Sequence, residues 1–131
     1  VCSDGVYIIL RVKDKQNFRR KEILMTRWLK EYQTAVFEEL ILQTYAAFKK
    51  YGVPFPTLKI RTMKSRWGSC QPKKGIITLN SRLIEAPRAA IEYVVLHEFV
   101  HFIHPNHSKE FWNFVTMMMP DWKERRKGLE P

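Results

Sequence analysis

Residues 91–107 read Ile91-Glu92-Tyr93-Val94-Val95-Leu96-His97-Glu98-Phe99-Val100-His101-Phe102-Ile103-His104-Pro105-Asn106-His107. On a helix, positions four apart lie one above the other, so His97 and His101 present two imidazoles to a single point. At 3.6 residues per turn, Glu98 lies about 100° round from His97, beside a shared ion rather than on it. A base must stand there to take a proton from a water activated by Zn²⁺. Around these three, Ile91, Val94, Val95, Leu96, Phe99, Val100, Phe102 and Ile103 cover nearly the whole circumference. A helix apolar all round is a buried one. Two histidines and a carboxylate on such a helix are costly unless paired or bound to metal.

A catalytic zinc takes three protein ligands and leaves a fourth position to water. His107 is the favoured third ligand, because Pro105-Asn106 is turn chemistry that doubles the chain back. His104 is its rival on a continued helix, although Pro105 disfavours helical geometry there. Glu110 ranks behind both.

Working outward, Pro87 suits the first turn of this helix, which is expected to reach about Ile103. Before it, Thr57–Met63, Trp67–Cys70 and Ile76–Leu79 read as three short strands, with Lys73-Lys74-Gly75 as turn chemistry between the last two. Their tight links predict a mainly antiparallel meander. From Glu22 to Lys50, Ile23, Leu24, Trp28, Leu29, Tyr32, Val36, Phe37, Leu40, Ile41, Tyr45 and Phe48 recur at helical spacing, and Gly52 and Pro54 supply the stop. Val6–Val12 reads as a further strand. Beyond the histidines, a helix starts near Ser108 with Phe111, Trp112, Phe114, Val115 and Met118 as its apolar stripe. Asp121 is placed to cap a short last helix.

The chain has 131 residues, 45% hydrophobic and 27% charged, which fits one domain over residues 1–131. Its longest apolar runs fall far short of the roughly 20 residues a membrane span requires, so no membrane partner is expected. Cys2 and Cys70 form no disulfide framework, and a reducing, cytoplasmic compartment is the default. The first residue is Val, which suggests that an N-terminal part of the natural protein is lacking. The net charge of +10, from 23 basic and 13 acidic residues, favours anionic partners, nucleotides and nucleic acid among them. These basic residues are dispersed along the chain. Arg61, Lys64, Arg66 and Lys73 are candidates for holding phosphates or a substrate carboxylate, and Lys123–Lys127 is a basic run that reads best as a solvated face. Tyr93, one turn before His97, is read as a packing residue, Cys70 as a small buried hydrophobe, and Met117–Met119 as core.

Three blocks carry a resemblance to a known family. They are Arg66-Trp67-Gly68-Ser69-Cys70, then Ile77-Thr78-Leu79-Asn80 with Leu83, and finally the stretch from His97 to Trp112, whose tail Asn106-His107-Ser108 precedes Phe111-Trp112. Over Arg66–Trp112 the chain resembles the YgjP-like metallopeptidases, relatives of the SprT-like zincins. The resemblance implies a zincin-like α+β domain with zinc on the helix bearing His97 and His101. It maps the third ligand onto His107 and the catalytic glutamate onto Glu98. Phe99 and Phe102 depart from the smaller or aliphatic residues common there. The first sixty residues match only loosely, as if the family's N-terminal β region were largely absent.

The expected function is a zinc-dependent hydrolase, foremost a metallopeptidase acting on a peptide or protein, with Glu98 activating a water on the metal. Two alternatives use the same residues. One is a nucleoside triphosphate pyrophosphohydrolase. The other is a nucleic-acid-associated module with a structural zinc, against which Glu98 argues, because a structural site needs no general base.

Overall fold

The computed structural model describes residues 15–130, with side chains from Arg27 onward. The strand expected over Val6–Val12 lies outside the described residues. The protein is α+β, and its chain divides into two compact units, Val1–Val36 and Phe37–Pro131. No helix of the described residues is long and apolar enough to cross a membrane.

The first helix, α1 (Lys15–Phe48), begins seven residues before the expected start. No glycine or proline interrupts it. In the first unit, Trp28 stacks on Tyr32 with centroids 5.5 Å apart, and Trp28 and Leu29 are exposed rather than part of a buried stripe. In the second unit, the stripe is buried at Phe37, Leu40, Ile41 and Phe48. A 3₁₀ turn over Lys49–Tyr51 ends at Gly52, whose φ of 79° is the left-handed conformation that closes a helix.

Three strands follow: β1 (Thr57–Arg61), β2 (Gly68–Gln71) and β3 (Ile76–Asn80). They do not form the expected meander. The sheet is mixed, in the order β1-β3-β2, with β1 parallel to β3 and β2 antiparallel to it. The β2–β3 pairing is a hairpin turned at Gly75, whose φ is 67°. The β1–β2 link is long enough to round the end of β3, so β3 takes the centre. Asn80 holds that link in place. Its Nδ2 donates to the carbonyls of Met63 (2.9 Å) and Arg66 (2.7 Å), and its backbone N–H donates to Trp67 O at 2.9 Å. Its Oδ1 accepts from Arg82 N, which caps a 3₁₀ turn over Ser81–Glu85.

Helix α2 (Arg88–Val100) starts after Pro87 and is buried on almost every side. It ends three residues before the expected Ile103. From Phe102 to Ile103 the backbone tightens to bonds three residues back, which brings the chain out of the helix ahead of Pro105. Helix α3 (Lys109–Met118) is capped by Ser108, whose Oγ accepts from Phe111 N at 3.3 Å. Helix α4 (Trp122–Lys127) has no side-chain cap. Asp121 instead accepts from Arg125 Nε at 3.0 Å, so the expected cap becomes an ion pair. The second unit's core joins Phe48 of α1 to Phe99 of α2 (5.2 Å) and Phe114 of α3 (5.7 Å), with Ile77, Leu79, Leu83 and Val95 fully buried.

Candidate metal centre

The centre forms where α2 runs out. His97 is in its last turn, and His101 at its C-cap keeps helical dihedrals (φ −62°, ψ −20°), so the four-residue relationship survives the end of the regular helix. The His101 Nδ1–H donates to the Pro105 carbonyl at 2.9 Å, which fixes the tautomer and leaves Nε2 with its lone pair free. The same turn carries His107 back over the helix. The His107 ring lies flat on Trp112 (5.9 Å, 26°) and edge-on to Phe111 (5.0 Å, 88°).

The Nε2 atoms of His97 and His107 are 3.0 Å apart, within hydrogen-bond reach of each other. One ligand nitrogen from each of His97, His101 and His107 falls within 4.8 Å of the others. At Zn–N lengths of 2.0–2.1 Å, tetrahedral ligand nitrogens stand about 3.3 Å apart, so this donor set fits a zinc ion after small ring shifts. Its protonation fits as well. Burial, then the neighbouring His101 and His107, pushes the His97 imidazole down to about 3. His101 is lowered by burial and by His107, against the bonds to Pro105 and His104. Neutral imidazoles are what a metal needs.

Glu98 is buried, as its place on an apolar helix requires. Burial pushes its carboxyl up to about 8, with Arg66 pulling the other way. It faces β2 at Gly68, where an added Cβ would stand 3.1 Å from Oε2 and 3.2 Å from Cγ. Gly68 therefore lets the strand pass against the carboxylate. Cys70, two residues on, is half-buried, and its thiol is pushed up to about 12 by burial and then by Glu98. It stays a protonated thiol. Tyr93 is buried one turn before His97, its hydroxyl 3.4 Å from His97 Nδ1.

These groups line a cavity of about 820 Å³. Arg66, Trp67, Gly68, Ser69 and Cys70 line it from β2 and the link before it, Tyr93, Glu98 and the histidines from α2 and the turn after it, and Arg126, Leu129 and Glu130 from α4 and the residues that follow, a second wall. Of the basic residues singled out for phosphates, Arg66 lines the cavity and Arg61, Lys64 and Lys73 do not. His104 stays outside, its ring 5.9 Å from that of Phe114. Glu110 is exposed, and so is Met117, against the expectation of core. Arg126 and Leu129 carry no local signal in the sequence. They reach the wall because α4 packs back on α2, where Arg125 bonds Glu92 across thirty-three positions of chain.

One family model, described as YgjP-like, metallopeptidase domain, matches residues 3–131. The match runs well beyond Arg66–Trp112 and takes in residues 3–60, which the motif blocks alone do not tie to the family. No curated protein matches the chain.

Proposed function

The chain belongs to the YgjP-like metallopeptidase-domain family, and from that premise we propose that it is a zinc-dependent metallopeptidase of zincin-like fold. The observation that carries this reading is the convergence of His97, His101 and His107 on one point with Glu98 buried beside them. The match over residues 3–131 supports treating the whole chain as one metallohydrolase domain. A reducing, cytoplasmic setting goes with the reading, as Cys70 is a free thiol.

Zinc held by the three imidazoles would supply Lewis acidity, lowering the pKa of a water and polarising the scissile carbonyl. The chain's own residues do the rest. The Glu98 carboxylate takes the proton of the attacking water and hands it to the leaving amine. A carboxyl that burial pushes up to about 8 is a stronger base than a solvated one, and a cation beside it would favour the ionised form. Gly68 keeps β2, an edge strand of the sheet, close to Glu98, so a substrate backbone extended along that edge reaches the metal ligands. The bond from His101 to Pro105 holds one ligand ring in its metal-facing orientation.

The pyrophosphohydrolase alternative draws less support, because Arg66 alone of its four candidate phosphate ligands lines the cavity. Glu98→Gln tests the reading. The variant keeps its metal, measured by bound-zinc content, and loses peptide hydrolysis by about 100-fold or more, the usual contribution of a general base. Hydrolysis retained within a fewfold refutes the role of Glu98, and release of pyrophosphate from nucleotides without peptide cleavage refutes the peptidase reading.

A further inference from the structure

Two adjacent arginines on α4 have opposite fates. Arg125 is neutralised by Glu92 and Asp121. Arg126, turned about 100° round the helix, lines the metal cavity, and among the described residues it makes no ion pair. It is nevertheless held. Its Cζ lies 5.0 Å over the Trp122 ring, and its guanidinium acts on the Tyr93 hydroxyl through charge and hydrogen bonding. Trp122 is anchored in turn, with Nε1 donating to Thr116 Oγ1 at 2.9 Å and the ring stacked on Trp112 at 4.8 Å. Trp112 stacks on His107. A column of rings therefore joins a metal ligand at one end to an unneutralised guanidinium at the other.

We infer that Arg126 is a specificity-determining residue that receives a substrate carboxylate bound in the metal cleft. The inference rests on the metallopeptidase reading for its substrate class. A guanidinium held over a ring keeps the edge N–H groups that Tyr93 does not use, and that planar fork matches a carboxylate bidentately. Arg66, on the link before β2, is the lesser candidate, because its charge already acts on Glu98. Glu130, four positions after Arg126, also lines the cavity but forms no ion pair with it, and Trp67, Pro72, Val94 and Leu129 add apolar lining that suits peptide side chains better than a polyphosphate. The carboxylate has two possible sources, a peptide C-terminus or an Asp or Glu side chain.

The test is binding by calorimetry to the zinc-loaded Glu98→Gln protein, which does not consume its ligand. The probes are random pentapeptide pools with free or amidated C-termini, each made with and without Asp and Glu. One carboxylate pool is expected to bind about tenfold more tightly than its neutral counterpart, the scale of a hydrogen bond to a charged group. A preference for free ends assigns the C-terminus, and a preference for acidic pools assigns the side chain. Adding Arg126→Gln abolishes the preference, and Arg126→Lys keeps part of it. Lys127→Gln, which removes a charge paired with Glu124 on the same helix, leaves it intact. Equal binding of all pools, or a preference that survives Arg126→Gln, overturns the inference. So does an Arg126-dependent preference for nucleoside triphosphates over every pool. Cleavage by protein retaining Glu98 is scored separately, so failure to cut any pool breaks the peptidase reading while the binding series still judges Arg126.

Discussion

The Nε2 atoms of His97 and His107 stand 3.0 Å apart although ten positions of chain separate them. So close an approach of two ring nitrogens is favourable only with a proton or a cation between them. His107→Ala is therefore expected to lower zinc affinity by more than about 100-fold, beyond the loss typical of an outer-shell partner. His104→Ala, whose ring lies against Phe114 instead, leaves affinity unchanged. Competition with a chromophoric chelator measures both. Equal losses, or a loss confined to His104→Ala, remove His107 from the ligand set.

Gly68 gives a second handle, because it acts on Glu98 without touching the histidines. An added Cβ meets Oε2 and Cγ of Glu98 and Cγ1 of Val94 at 3.1–3.2 Å. Carboxylate displacement is the easier relief, since Val94 is packed in the core. Gly68→Ala should keep its zinc and lose about 10- to 100-fold in kcat, as expected for a base moved by a fraction of an ångström. Its stability cost is about 1–2 kcal/mol, the lower range for overpacking. Steady-state kinetics with a thermal melt checks both, and full kcat would show that the strand does not position the base.

What was legible in the sequence was whatever is local. The relation of His97, Glu98 and His101 follows from helical geometry within five residues, and His107 follows from a proline turn closed by the Ser108 cap. Burial of Glu98 followed from the apolar residues around it. The sheet order did not follow, because the parallel β1–β3 pairing depends on Asn80 gripping a loop fourteen and seventeen positions away. Nor did the second wall of the cavity. Arg126 sits in a run that reads as a solvated face, and the docking of α4 through Arg125 and Glu92 turns that face toward the cavity of the three histidines.

Asn80 is accordingly expected to matter for stability rather than chemistry. It is buried, and its side chain bonds two loop carbonyls and the Arg82 N–H. Asn80→Ala leaves these groups without partners, at a cost of about 2–3 kcal/mol. For a chain of this size that lowers Tm by roughly 10 °C. Because the loop it holds carries Arg66 and leads into Gly68, kcat falls as well, while zinc affinity stays close to that of the unaltered protein. A Tm shift below about 3 °C would mean that the loop is held by other contacts.

Cys70 supplies the prediction in pH. Its thiol is raised from 9.0 to about 12, first by burial and then by the Glu98 charge, so both causes favour the protonated form. The thiolate is the reactive species, and at pH 8 a shift of that size makes it roughly a thousandfold scarcer than in an unperturbed thiol. With Cys2 replaced by Ser, iodoacetamide should label the metal-free native protein slowly. The rate should climb about tenfold per pH unit through pH 9 and 10, where an ordinary thiol has already levelled off. Glu98→Gln removes the second cause but not the first, so above about pH 8, where the Glu98 carboxyl is ionised, it raises the rate without restoring that of an exposed cysteine. Labelling that levels off near pH 9 would mean that Cys70 is not held beside Glu98 in the cleft wall.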